Sequence, residues 1–294
     1  MLLSAALALP SNSAAAQSTT QAATHSVAHS VPQSSAGQAP AKSAPRARSK
    51  AEFEAYRAAS VQRDPAKLEV AATDFAEKYP ASELRPFLFQ RAMGLYEQAD
   101  NPVKSLEMAR AVLKYDPANA VALLGAAQML ADRTHDTDLD RDGRFEEASA
   151  DARSALQYAG EIPQPSQLTA KEFAEATAQL RGAAHEVLGT VAYKKRDYRN
   201  AIKEYAEAAA EEKEHTAPVV WLRVAVAEEK SGEYEPGLAA AEKAIASSDA
   251  GSPVRELAAK EKARIEALKP ASPQPSQSGA SPAPALGGEA QKSF

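Results

Sequence analysis

The chemistry that this sequence suggests most directly is cation binding by a short aspartate-rich segment. Asp138, Asp140 and Asp142 occupy alternate positions and are followed by Gly143. Carboxylates at positions 1, 3 and 5 with a glycine at position 6 reproduce the first half of a calcium-binding loop. Position 12, which supplies two carboxylate oxygens in such loops, is Ser149. We therefore expect no tightly bound cofactor and at most a weak calcium site. The sequence favours the other interpretation, a polar turn whose aspartates cap the next helix.

Residues for other catalytic or metal chemistry lack the partners that they would need. His185-Glu186 begins like the zinc-binding helix of a metalloprotease, but Gly189 stands where the second histidine is required. The sequence has neither a glycine-rich phosphate loop nor a nucleophile elbow. Its many carboxylates are interleaved with Lys at helical spacing, which is typical of solvated helix faces. The sequence therefore predicts a protein that is not an enzyme.

Composition excludes several further classes of protein. The chain of 294 residues has no cysteine, which excludes disulfide bonds, thiolate metal sites and lipid attachment through cysteine. Its net charge is −5, and the acidic excess lies in the middle of the chain, which argues against nucleic acid as the partner. No segment approaches the roughly 18 consecutive apolar residues of a membrane span, so we predict no transmembrane segment in the mature chain.

The two ends of the chain differ in composition from its middle. Residues 1–16 contain a short apolar run that ends in three alanines, which is typical of a signal peptide, although no Lys or Arg precedes the run. Residues 17–48 are rich in Gln, Ser, Ala and Pro, and residues 270–294 are rich in Pro, Ser and Ala, so we expect both to be disordered. These features predict a periplasmic or secreted protein, with a cytoplasmic location as the alternative.

Residues 49–269 must supply the elements that position any site. They are rich in the helix formers Ala, Glu and Lys, and two of their segments repeat one pattern of large and small residues. The matching positions are Tyr198, Ala201 and Ala208 in one segment and Tyr234, Gly237 and Ala244 in the other. Three weaker copies precede them. The pattern predicts repeats at about 49–84, 86–119, 120–158, 169–215 and 218–250, with a final cap at 252–268.

With Leu188-Gly189 and Trp221 on the first helices of their units, this pattern resembles that of the tetratricopeptide repeat (TPR) family. The resemblance covers the middle of the chain, closely in two units and weakly in three. It implies an all-α fold, a TPR-like α-solenoid of about five helix–turn–helix units plus a C-terminal capping helix.

In that family the first helices of successive units line a concave groove that binds protein segments. The resemblance places twelve residues in a partner groove here: Phe87, Gln90, Gln98, Leu124, Gln128, Glu186, Tyr193, Lys194, Val219, Leu222, Val226 and Glu229. Members that clamp a terminal carboxylate use Lys and Asn where this chain has Glu186 and Thr190. We therefore expect the groove to take a hydrophobic or helical segment instead.

The resemblance implies a non-catalytic protein–protein interaction scaffold that binds a protein or peptide partner. Two alternatives stay open at the level of sequence. One is a calcium-responsive TPR regulator that uses the loop of Asp138, Asp140 and Asp142. The other is a structural accessory subunit of an envelope complex.

Overall fold

The structure, a computed structural model, describes residues 45–269. The predicted signal peptide, the Pro-rich tail and most of the predicted linker lie outside the described residues. Within the described range the chain forms eleven α-helices and no strand, which confirms the all-α prediction. In chain order the helices are α1 (Lys50–Ser60), α2 (Pro65–Lys78), α3 (Arg85–Gln98), α4 (Pro102–Tyr115), α5 (Ala120–Arg133), α6 (Arg141–Ala159), α7 (Ala170–Lys194), α8 (Tyr198–Glu212), α9 (Pro218–Ser231), α10 (Tyr234–Ser247) and α11 (Pro253–Leu268). A short 3₁₀ segment, Lys213–His215, follows α8.

The helices pack as successive pairs, because each odd-numbered helix from α1 to α9 lies against the even-numbered helix that follows it. We call these pairs repeats 1 to 5. The final helix, α11, packs on both helices of repeat 5 and closes the C-terminal end of the stack. Contacts between neighbours in sequence thus dominate the packing, which is the organisation of a helical solenoid.

Side-chain contacts show that the odd-numbered helices form one layer. Helix α1 packs on α3, and α5 packs on α7. A Cβ built on Gly125 of α5 would lie 3.2 Å from the sulfur of Met93 on α3, so these two helices are also adjacent. The carboxylate of Glu186 on α7 accepts a hydrogen bond from the guanidinium of Arg223 on α9. Every odd-numbered helix therefore touches the next one along the stack.

The even-numbered helices of the first three repeats are joined by ion pairs. Lys104 Nζ on α4 lies 3.0 Å from Glu69 Oε1 on α2, and Arg110 Nη2 on α4 lies 2.7 Å from Glu147 Oε1 on α6. Because these side chains are partly exposed to solvent, each pair contributes little to stability. The pairs nevertheless place these helices side by side in a second layer.

The turn inside the repeats shows the internal repetition in the backbone itself. Asp100, Arg196 and Gly232 hold the same place between the two helices of repeats 2, 4 and 5, and their φ angles are 51°, 62° and 85°. The amide of the next residue then donates to a carbonyl five residues back in each repeat, in the pairs Asn101–Tyr96, Asp197–Ala192 and Glu233–Glu228. This is the Schellman arrangement, which needs a left-handed residue at the helix end. Glycine fits that position without strain, so Asp100 and Arg196 occupy it at a steric cost.

Short polar side chains define where the helices begin. Asp64 and Asn101 each accept a hydrogen bond from a backbone amide of the first turn, and a proline follows at the first helical position. Thr169 and Glu172 form a reciprocal capping box at the start of α7. These local signals are readable in sequence because they act within four residues.

One close approach fixes the packing inside repeat 4. Gly189 of α7 lies under the ring of Tyr205 of α8, and a Cβ at Gly189 would lie 2.6 Å from the ring carbons Cδ1 and Cε1. Tyr205 is buried, and its hydroxyl lies 3.3 Å from Thr190 Oγ1. The two helices can be this close only because position 189 has no side chain.

Candidate protein-binding surface

The aspartate-rich segment does not have the backbone of a calcium loop. Helix α6 begins at Arg141, so Asp142 and Gly143 both lie in its first turn. In a calcium loop the glycine at position 6 allows a sharp turn of the chain. Gly143 is instead helical, its φ is negative, and a Cβ built on it would meet nothing within 4 Å.

The carboxylates of this segment have partners within the protein. Asp138 accepts a hydrogen bond of 2.9 Å from the amide of His135, and Asp140 accepts one of 2.8 Å from Arg144 Nε. The bond from Arg144 holds the pKa of Asp140 below its usual range. Across residues 45–269, no three His, Cys, Asp or Glu side chains converge in a way that could hold a metal ion. A weak calcium site thus remains a prediction from sequence, without support from the geometry of the described residues.

We predict that Gly143→Ala raises the free energy of unfolding by about 0.5–1 kcal/mol, because alanine is the better helix former and the site has room for its methyl group. Urea unfolding with and without millimolar calcium chloride measures this. Calcium should leave both unfolding curves unchanged. A stabilisation by calcium that the substitution abolishes would contradict this prediction and restore the interpretation as a calcium loop.

His185 has a structural partner. Its Nδ1 lies 2.8 Å from Glu204 Oε2 on α8, and both side chains are largely buried. The pair ties the two helices of repeat 4 together. Within the described residues no second histidine or carboxylate joins this pair at metal-binding distance.

Two of the twelve predicted groove residues are buried and require correction. Leu124 packs in the core between repeats 3 and 4. Glu229 is 8% exposed, and its Oε2 lies 2.7 Å from the guanidinium of Arg264 on α11. Glu261 of α11 binds the same guanidinium at 2.7 Å. Glu229 therefore anchors the capping helix. Both errors arise because a residue on the first helix of a repeat can face the adjacent helix as well as solvent.

The remaining predicted groove residues are at least partly accessible. Gln98 is exposed, and Glu186 is half-buried and engaged by Arg223 as described above. The other half-buried members are Phe87, Gln90, Gln128, Tyr193, Lys194, Val219, Leu222 and Val226. Whether these side chains contact a partner stays a prediction.

Lys194 has a role that the sequence did not reveal. Its Nζ donates hydrogen bonds to the carbonyl oxygens of Ala131, Asp132 and Thr134, at 2.6, 3.1 and 3.0 Å. These carbonyls lie at the C-terminal end of α5, where the helix leaves acceptors unpaired and carries partial negative charge. Repeat 4 thus caps a helix of repeat 3, and the ammonium group is not available to a partner.

Replacing Lys194 by Met is predicted to destabilise the protein by about 1.5–3 kcal/mol, since it removes charged hydrogen bonds and leaves carbonyls at the end of α5 without a donor. The neighbouring Lys195 is exposed, so Lys195→Met is the matched control and should have little effect. Thermal unfolding followed by circular dichroism measures both. Equal destabilisation by the two substitutions would show that the three hydrogen bonds of Lys194 do not stabilise the protein.

An apolar stripe follows one side of α9. Val219, Leu222 and Val226 recur at spacings of three and four residues, and all three are half-buried. Arg223 lies between them and binds Glu186 of α7. The sequence did not point to Arg223, because an ion pair between repeats has no local signal. The stripe offers apolar contacts next to a fixed ion pair.

A cavity of about 280 Å³ lies between repeats 3 and 4. It is lined by residues 134–136, just after α5, and by Tyr193, Lys194, Arg196 and Tyr198 at the end of α7 and in the turn that follows. The tyrosine rings meet edge to face, with centroids 5.5 Å apart. Tyr193 and Lys194 were predicted groove residues, whereas the contribution of the α5–α6 loop depends on packing between repeats.

No helix among residues 45–269 combines the length and the apolar character needed to cross a membrane.

No family model matches the chain, and no curated protein is significantly similar to it. Several solved structures are similar in fold. A thermophilic TPR protein of Thermus thermophilus is 14% identical, with 71% of this chain and 98% of that chain covered and a TM-score of 0.43. The Pseudomonas aeruginosa protein pilF is 19% identical, with 76% and 96% covered and a TM-score of 0.48. A tetratricopeptide repeat protein of Parabacteroides merdae is 13% identical, with 72% and 99% covered and a TM-score of 0.28. At these scores the similarities have no bearing on the function of this chain.

Proposed function

We propose that the protein is a non-catalytic scaffold that binds a segment of another protein along its layer of odd-numbered helices. The observation that carries this proposal is the stripe of Val219, Leu222 and Val226 on α9. Half-buried apolar side chains in a row give an amphipathic segment apolar contacts at regular spacing.

The surroundings of the stripe support the same proposal. Arg223 and Glu186 next to it satisfy each other, so a partner can cover them without leaving an unpaired charge. Odd-numbered helices touch along the whole stack, which makes their layer a continuous surface onto which an extended or helical segment could dock. No group of catalytic side chains is needed for this role.

The test uses peptides from a phage-displayed random library, selected on the full-length chain. We expect selected peptides to bind in the micromolar range and to lose at least tenfold in affinity on Leu222→Glu. The matched control is Val103→Glu, at an exposed valine on the even-numbered helix α4, and it should leave affinity unchanged. Circular dichroism verifies that both variants fold. The proposal would be contradicted by selected peptides that bind the Leu222→Glu variant with unchanged affinity, or by peptides that lose affinity for the Val103→Glu variant.

A further inference from the structure

We infer that the cavity between repeats 3 and 4 binds a carboxylate group. This is the terminal carboxylate of a partner segment whose last residue is aromatic or aliphatic. The inference rests on the proposed function in that the partner is a protein. The site differs from the clamp rejected above, because it lies at the helix ends and in the turn after α7, away from Glu186 and Thr190. It combines an aromatic wall with a cation that has no partner among residues 45–269.

The cation is Arg196. Its side chain is exposed at the cavity, and no hydrogen bond or ion pair engages it among residues 45–269. At the same turn position in repeat 2, Asp100 is paired with Arg133 of the following repeat, at 3.3 Å. The residue of repeat 5 that corresponds to Arg133 is Ser231, which offers Arg196 no charge. A guanidinium binds a carboxylate through two parallel hydrogen bonds. The guanidinium of Arg196 makes no such bonds among residues 45–269.

The backbone at this position is that of the turn found in repeats 2, 4 and 5. Arg196 has a φ of 62°, a left-handed conformation in which repeat 5 has Gly232. Here the turn presents a guanidinium beside the cavity.

The walls define the rest of the ligand. Tyr193 and Tyr198 provide an edge-to-face pair against which an aromatic ring or an aliphatic chain can pack. Lys194 lines the cavity too, but its ammonium is held by the three carbonyls of α5, so only its methylene stem is free to contact a ligand.

The charges around the cavity favour a singly charged carboxylate over a phosphate. Asp136 lies on the rim and is 3.5 Å from Arg141, and Asp138, Asp140 and Asp142 follow it in sequence. Only Arg141 and Arg144 offset these four carboxylates locally. A dianionic phosphate would be repelled more strongly than a carboxylate by this acidic loop. Because Arg196 is the only unpaired cation among the residues that line the cavity, the ligand should carry one negative charge.

The experiment compares N-acetylphenylalanine with N-acetylphenylalaninamide on the full-length chain, by NMR titration. The two probes differ only in the charge of the carboxyl group. We expect the acid to bind with a dissociation constant in the low millimolar range and to shift signals of Tyr193, Tyr198 and His135, with the amide at least fivefold weaker. Equal affinity for acid and amide, no shift with either probe, or tighter binding of inorganic phosphate than of the acid would each overturn the inference.

The variant Arg196→Gly tests the role of the guanidinium with the fold preserved, because glycine is better suited to the left-handed turn. It should be at least as stable as the wild type and should lose the fivefold preference for the acid. The matched control is Asp100→Gly, at the same turn position of repeat 2, which should keep that preference. If Arg196→Gly keeps the preference for the acid as well, the inference is wrong.

Because the probe is a small molecule, its binding at the cavity is independent of the stripe on α9. If the probe does not bind, the effect of Leu222→Glu on library peptides can still be observed. If Leu222→Glu has no effect on those peptides, the probe can still bind the cavity.

Discussion

Replacing Glu228 by Gln should stabilise repeat 5 by about 2–3 kcal/mol at pH 8 and by almost nothing at pH 4. Glu228 lies near the end of α9 with 9% of its surface exposed, and its Oε2 is buried without a hydrogen bond. Burial raises the pKa of this carboxyl from 4.5 to about 7, with a further contribution from the charge of Glu233 and partial compensation by Lys243.

The direction of the pH dependence follows from this raised pKa. Below about pH 4.5 the carboxyl is neutral in both the folded and the unfolded chain, so it does not lower the free energy of unfolding of the wild type. Between about pH 4.5 and 7 the unfolded chain releases a proton that the folded chain retains, and the stability falls as the pH rises. Gln at position 228 is neutral throughout, so the variant lacks this fall.

Unfolding in urea at several pH values tests the effect. Trp221 is the single tryptophan of the chain and lies on α9 beside Lys243, so its fluorescence reports on repeat 5. The matched control is Glu207→Gln on α8, where the carboxylate is exposed. A Glu228→Gln profile that runs parallel to the wild type would show that the carboxyl titrates normally.

Gly189→Ala is predicted to cost about 1–3 kcal/mol, although alanine favours a helix more than glycine does. The new methyl group would lie 2.6 Å from two ring carbons of Tyr205, a distance that forces the buried ring or one of the two helices to move. Gly143→Ala is the matched comparison, because it makes the same substitution in a helix with open space around it. The two variants should shift the unfolding free energy in opposite directions.

A double-mutant cycle with Tyr205→Leu identifies the cause. Leucine lacks the ring that the methyl group meets, so the cost of Gly189→Ala should largely disappear in the Tyr205→Leu background. The measurement is urea unfolding of the two single variants and the double variant. Additive costs would show that the contact with the ring is not responsible.

Sequence reasoning predicted the helices well because their signals are local. Proline after Asp64 or Asn101 and the capping box at Thr169 act within one turn, and the small residues of the repeats recur in phase along the chain. The left-handed turn at Arg196 had no such signal, because glycine marks this position only in repeat 5. The match of Tyr198 with Tyr234 already aligns Arg196 with Gly232 in sequence, but the left-handed φ of Arg196 is visible only in the structure.

The candidate site was harder to predict, because its residues depend on contacts between repeats. Helical spacing gives the direction of a side chain around its own helix, but each first helix faces a second helix, two neighbouring repeats and solvent. Leu124 and Glu229 were therefore assigned to the groove although one packs in the core and the other binds the capping helix. Lys194 was assigned as a partner contact for the same reason, whereas its ammonium group donates hydrogen bonds to carbonyls at the end of α5.

The three bonds of Lys194 also set an order in time when the chain is made. Ala131, whose carbonyl accepts one of these bonds, precedes Lys194 by 63 residues. At a synthesis rate of about 5–20 residues per second, the end of α5 stays without its lysine for about 3–13 s after Ala131 is added. During that interval the first three repeats can stack on one another, but their last helix pair lacks its donor. A nascent chain that ends before Lys194 should therefore expose the end of α5 to proteases, and one that extends through α8 should protect it.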